Sequence, residues 1–391
     1  MIENPAELER LAAQARAARA IAIDTEFMGE GRYRTLLCLI QVAVPLDGRD
    51  GSWIELIDPL QDDFEATPLG QLLADPEVEV VVHAGRQDIA LLRRALGTEV
   101  TNVFDTQVAA GFTGLTAQIS YDSLLHETLG LRLAKSASFT RWDKRPLSAE
   151  QLAYAREDVV HLLQAAEVLK TRLSRLGRLQ WAMQECTPLA SSSDERNPEA
   201  IFARLPRIAS ASASAQALAR DLVQWREETA ERQDRPVQGV LPDAALVEIA
   251  RRSPSSIGEL ANIRGLTQPI VKRSGSQILE RVLEEGRRDI TPLRQTERSR
   301  PPDPADAPIV ALAEALARTR AREAGLAYEL IASRSDLQTV VAAKRLAEAE
   351  PEVRLLTGWR RELVGEQVLR LLDGEVSLSV KSGKLEIVDP S

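Results

Sequence analysis

Residues 20–27 read AIAIDTEF, an apolar run interrupted only by Asp24 and Glu26. Two further runs follow, Leu36–Val44 (LLCLIQVAV) and Trp53–Ile57 (WIELI), separated by stretches rich in Gly, Asp and Arg. Short apolar or alternating runs joined by turn residues predict three consecutive antiparallel strands. The pattern then changes. Val78–His83 and Val100–Phe104 are strand-like, and each precedes a helix-period stretch, Asp88–Leu96 and Thr106–Phe112. Strands that give way to strand–helix alternation predict an α/β domain, a mixed sheet flanked by helices.

Side chains two apart on a strand share a face, so Asp24 and Glu26 point the same way. Ionised acids on a buried face repel and lose hydration, a cost relieved by a cation or a partner base. A hard divalent ion, Mg2+ or Mn2+, meets that need through oxygen ligands. An edge strand with both acids in solvent is the alternative reading. Asp88 falls in the first turn of the helix after His83-Ala84-Gly85, a position that also suits helix-dipole compensation. Tyr154 and Asp158, at i and i+4 of the helical run Ser148–Leu176, share one face and also fit a satisfied core pair. The pair Gly29 and Gly31 does not make a dinucleotide loop, because Arg34 stands where a third glycine belongs and a strand follows.

The 391-residue chain is two to three times the usual domain length, and its 44% hydrophobic and 27% charged residues place it in the globular class. No apolar run approaches the roughly 20 residues needed to span a bilayer, and Glu3, Glu7 and Glu9 argue against a secretory signal. Two distant cysteines and three histidines exclude a disulfide framework or a Cys/His zinc site, so a cytoplasmic protein is expected. The net charge of −9 conceals an uneven distribution: residues 1–190 hold 19 basic and 27 acidic side chains. Serine- and proline-rich stretches at 189–213 and 291–305 read as linkers between three segments, 1–188, 214–290 and 306–391. The last two read as small all-α bundles. Gly275-Ser276-Gln277-Ile278-Leu279 and Gly365-Glu366-Gln367-Val368-Leu369 form a weak repeat, each read as heading a helix that ends near a glycine, Gly286 and Gly374. A fragment ending near Asp194 is expected to fold alone.

Taken together, Asp24, Glu26, Asp88 and Asp158, with Tyr154 four residues before the last, resemble the DEDDy branch of the DEDD 3′→5′ exonucleases, the branch that contains the ribonuclease D family. The resemblance covers residues 20–175 and includes LLCLIQVAV, FDTQVAAGF at Phe104–Phe112, and Lys135–Val159. The histidine-bearing branch does not fit, since no histidine lies four or five residues before Asp158. Residues 214–288 resemble the HRDC domain through Leu222-Val223-Gln224-Trp225-Arg226, Val240-Leu241-Pro242-Asp243 and Pro254–Leu260, and residues 306–375 resemble a diverged second copy.

The resemblance implies a ribonuclease H-like sheet followed by two HRDC-like bundles, and a monomeric two-metal phosphodiester hydrolase trimming tRNA precursors or other small structured RNAs. A DNA exonuclease and a noncatalytic RNA-binding scaffold are the competing readings. By the same resemblance Asp24 bridges two ions, Glu26 and Asp158 complete the nucleophile-side site, Asp88 supports the other, and Tyr154 aims the attacking water. Gln41, Arg32, Tyr33, His83 and Arg141 are the expected substrate contacts, although Arg32–Thr35 departs from the family's usual tyrosines and proline. Arg251, Arg252, Lys272 and Arg273 are the expected phosphate contacts of the first bundle.

Overall fold

The computed structural model describes residues 2, 5–46, 51–62, 64–133, 141–285 and 303–388. Helix α1 (Pro5–Ala18) leads into β1 (Ala20–Met28), β2 (Leu36–Pro45) and β3 (Ser52–Ile57), followed by α2 (Thr67–Leu73), β4 (Glu79–Val82), α3 (Arg86–Leu96) and β5 (Val103–Asp105). The sheet order is β3-β2-β1-β4-β5. The first three strands pair antiparallel, whereas β1–β4 and β4–β5 pair parallel, giving the expected mixed sheet. β1 is therefore central. Ile21 and Ile23 pack with Leu11 of α1 and Ile89 of α3 on one side, while Ala22 packs with Phe104, Leu162 and Ala166 on the other. Asp24 and Glu26 share the Ala22 side, so the solvent-facing edge strand is ruled out.

The helices α4 (Thr106–Gly111), α5 (Tyr121–Leu129), α6 (Ala149–Val160), α7 (Leu162–Arg175) and α8 (Leu179–Cys186) complete this layer. The single helical run expected from Ser148 onward is two helices. Ser148 and Gln151 form a capping box at the start of α6, and His161, at φ −108° and ψ 0°, breaks the helix before α7. The expected linker at 189–213 is not an open tether. Asn197 caps α9 (Pro198–Ala203), and Phe202, Leu205 and Ile208 enter the core of the next bundle. That bundle comprises α10 (Ala213–Arg232), α11 (Val237–Val240), α12 (Asp243–Arg252), α13 (Ile257–Ala261) and α14 (Gln268–Glu285).

Most of the second expected linker, and Gly286, lie outside the described residues. The last segment contains α15 (Ala307–Glu323), α16 (Tyr328–Ile331) and α17 (Arg334–Arg345), then α18 (Gly358–Arg360), which passes through a π-helical turn into α19 (Glu366–Leu372). A hairpin that the all-α reading missed follows, β6 (Ser377–Lys381) and β7 (Lys384–Val388). Ser382 and Gly383 take positive φ, 50° and 74°, at its two-residue turn, and Leu378 and Ile387 face the core. Five residues per strand carry too little alternation to stand out from the helical pattern before them. The two glycines of the sequence repeat are both points of close approach. A Cβ at Gly275 would lie 3.1 Å from Ile257, and one at Gly365 2.5 Å from the Leu355 carbonyl. Gly275, however, sits inside α14 rather than at its head.

The expectation of a separate core for the third segment fails. Its buried residues Leu316, Leu337, Val364 and Val368 belong to one cluster with Phe104, Phe112, Leu162 and Leu169 of the catalytic layer. Trp359 stacks on Trp181 at 5.1 Å and 16°, and meets Phe112 edge-on at 5.2 Å. Arg360 donates to Glu185 at 2.6 Å, and Arg178 donates to the Ala324 carbonyl at 2.5 Å. A fragment ending near Asp194 would expose this surface. Trp359→Ala should therefore cost about 3–5 kcal/mol and lower the melting of the catalytic sheet and the third segment as one calorimetric transition. Two independent transitions, with only one shifted, would show separate cores.

Candidate active site

The site forms where the C-terminal half of β1 meets the first turn of α3 and the α6 face that carries Tyr154 and Asp158. Burial, and then Asp88, Asp158 and Glu26, hold the Asp24 carboxyl well above the usual carboxylate range. Glu26 is pushed up to about 8 by burial, then by Asp158 and Asp88. Asp158 rises to about 7 through burial and Glu157, opposed by a hydrogen bond with the Tyr154 hydroxyl. Burial also raises Asp88, against which the Thr25 hydroxyl donates to its Oδ1. The Tyr154 hydroxyl is itself raised above its usual range by burial and then by Asp158, Glu26 and Asp24. All five expected residues are brought together.

Among the described residues no three Asp, Glu, His or Cys side chains converge as a ready-made ligand cage. The donor set nevertheless fits a hard divalent cation, since the main charges acting on Asp24 and Glu26 are other carboxylates. Gln41 supports the same fit: it pairs with Asp24 across β1 and β2, is fully buried, and neither side-chain amide atom has a hydrogen-bond partner among the described residues. A buried orphan amide costs about 1–3 kcal/mol, which a polar ligand beside Asp24 would offset.

The other expected substrate contacts are engaged elsewhere. The Gly29–Thr35 stretch extends past the sheet to the acidic end of α10. There Arg32 donates to Asp234 at 2.9 Å, the Tyr33 hydroxyl donates to Glu227 at 3.2 Å, and Arg34 donates to Glu231 at 3.3 Å. Arg141 is exposed and makes a two-pronged pair with Asp143 at 2.9 Å. His83 bridges Thr106 Oγ1 at 3.0 Å and the Ile119 carbonyl at 3.1 Å, and burial lowers its pKa, a structural arrangement at the end of β4.

Two site residues escape sequence reasoning. Thr25, on the opposite face of β1 from Asp24, ties Asp88 to the strand; its place between the two acids was the available signal. Tyr121, at the start of α5 and 5.5 Å from the His83 ring, has its hydroxyl raised by burial and then by Asp158 and Asp24. No local pattern links Tyr121 to residues so distant in the chain.

The sheet and its acids define the class. Residues 1–174 match the 3′-5′ exonuclease family and residues 215–282 match the HRDC domain. The chain is 36% identical to ribonuclease D of Gluconacetobacter diazotrophicus over 395 positions, covering 99% of this chain and 96% of that one. It is 35% identical to ribonuclease D of Granulibacter bethesdensis, again over 99% and 96%. It superposes on the crystal structure of Escherichia coli RNase D with a TM-score of 0.81 at 28% identity, covering 96% of this chain and 98% of that one. The chain belongs to the ribonuclease D family and is a hydrolase, a 3′→5′ exoribonuclease. Among the described residues no helix is long and apolar enough to cross a membrane.

The raised acids make a pH prediction for protein held in chelator. An acid whose folded pKa exceeds its unfolded value contributes fully below the unfolded value and destabilises as pH rises toward the folded one. For Glu26 that window runs from 4.5 to about 8. The melting temperature of Glu26→Gln minus that of wild type should grow between about pH 5 and pH 8, and saturating Mg2+ should shrink it. A difference that is constant across this range would show that Glu26 ionises freely.

Proposed function

We propose that this exoribonuclease trims the 3′ ends of tRNA precursors and other small structured RNAs in the cytoplasm, acting as a monomer with two divalent ions, Mg2+ or Mn2+. The observation that carries the reading is four acids in one buried site whose principal electrostatic influences include one another. The RNA class is supported by the Escherichia coli relative, described as an exoribonuclease involved in structured RNA processing. Asp24, Glu26, Asp88 and Asp158 would hold the ions. Two such ions supply the Lewis acidity for in-line displacement at phosphorus and make water a nucleophile near neutral pH.

The chain's own side chains do the rest. The Tyr154 hydroxyl keeps its proton well above neutral pH and is hydrogen-bonded to Asp158, so it orients the attacking water rather than deprotonating it. Gln41 is too deep to touch RNA and acts behind Asp24. In the first bundle, Arg251 is bonded to the Arg207 carbonyl and Arg252 is paired with Glu248. The exposed Lys272 and Arg273 on α14 are therefore the better phosphate contacts.

Incubation with 3′- and 5′-labelled RNA and DNA, with Mg2+, Mn2+ or chelator, tests the activity. Early release of labelled mononucleotide from 3′-labelled RNA alone, abolished by chelator, is expected. Asp24→Asn should leave less than a tenth of the rate at saturating Mg2+, and Tyr154→Phe should lower turnover by orders of magnitude while calorimetric metal affinity persists. A near-normal rate in either variant would remove the role assigned to that residue. Lys272→Ala/Arg273→Ala should weaken tRNA precursor binding and reduce the dependence of log K on log salt by about 0.7–0.9 for each phosphate left without its cation. An unchanged slope would show that the bundle neutralises no phosphate through these two side chains.

A further inference from the structure

Asp105 ends β5, opposite Val82 of β4, and is almost wholly buried. Its carboxylate accepts from four backbone N–H groups. Oδ1 accepts from Ala84 at 3.1 Å, Gln107 at 2.8 Å and Val108 at 3.3 Å, and Oδ2 accepts from Gly85 at 2.9 Å. Gln107 and Val108 begin α4, so half of this set is an ordinary helix cap. Ala84 and Gly85 are a different matter, because they form the turn that launches α3. Ala84 lies at φ +55°, in the left-handed region that residues with a Cβ avoid. A Cβ at Gly85 would fall 2.5 Å from the Val82 side chain. α3 has no side-chain cap of its own, and its third residue is Asp88.

We infer that Asp105 is a positioning residue for phosphodiester hydrolysis: by holding the strained Ala84–Gly85 turn, it fixes the start of α3 and thereby the placement of Asp88 in the site. The inference rests on the proposed ligand role of Asp88. A carboxylate is required, because all four neighbours are donors and an amide would turn its own N–H groups toward one of them. The Thr25 hydroxyl restrains Asp88 from the β1 side, so the carboxylate is held between a strand and a fixed turn.

The test uses the full chain with Asp105→Ser, Asp105→Asn, Asp88→Asn and the double variant Asp105→Ser/Asp88→Asn. Serine retains an oxygen suited to capping α4 but is too short to reach Ala84 and Gly85 as well. Turnover and KM on end-labelled RNA are measured across Mg2+ concentration, folding by circular dichroism, and Mn2+ affinity by calorimetry. Asp105→Ser is expected to fold, to lose about 10- to 100-fold in turnover and in Mn2+ affinity, and to keep KM for RNA within about twofold. In the double variant the Asp105 change should add nothing to the loss caused by Asp88→Asn, as for two residues acting through one placement. Should Asp105→Ser fail to fold, Asp105→Asn, which preserves shape and most of the acceptor set, carries the same expectation. A folded Asp105 variant with wild-type turnover and Mn2+ affinity, or additive losses in the double variant, overturns the inference while the ligand reading stands. Full activity in Asp88→Asn overturns the ligand reading and this inference with it.

Discussion

Mutual repulsion among four carboxylates in one buried site is the constraint around which the catalytic layer is built. Each acid is raised by burial, and Asp24 is raised further by the other three. A site that is destabilising when ionised persists only if the surrounding structure over-determines it. β1 is the central strand of a sheet covered on both faces, so its backbone is fixed by pairing on either side and by apolar packing above and below. Asp88 is restrained by Thr25 and by the turn beneath it, and Asp158 by Tyr154 one helical turn away.

The two helical bundles serve that layer in different ways. The third segment shares its core, and the Trp359–Trp181 stack and the Arg360–Glu185 pair make the far end of the chain part of the catalytic domain's stability. The first bundle is attached through charge and through the Tyr33 ring, which packs against its core. The stretch that directly follows the acids of β1 carries Arg32, Tyr33 and Arg34, and all three meet acids of α10 or its end. Glu227, almost wholly buried, also pairs with Arg196 from the segment between the domains. Exposed members of this set contribute little singly and are screened by salt, whereas the buried Glu227 contact is costly to leave unpaired. The bundle is thus held beside the site by the Tyr33 ring on its core, one buried acid and a rim of exposed pairs.

The order of amino acids was enough to read the mixed sheet and the first bundle, and it singled out the five acid and tyrosine positions that the fold brings near one another, because each rests on local spacing: i and i+2 on a strand, i and i+4 on a helix, a glycine before a helix start. Residues 1–174 and 215–282 match known families along these same stretches. Whatever depends on distant partners was settled by the folded chain alone. Arg32 and Tyr33 look like free nucleic-acid contacts until Asp234 and Glu227, about two hundred residues away, occupy them. Tyr121 enters the site through the packing of α5. The third segment reads as an independent bundle because its apolar period shows that a face is buried without showing against what, and here the cover is the catalytic layer itself. Asp105 caps α4; that its second oxygen steadies the turn carrying Asp88 follows from strand pairing that places Val82 beside it, a neighbour no local pattern can name.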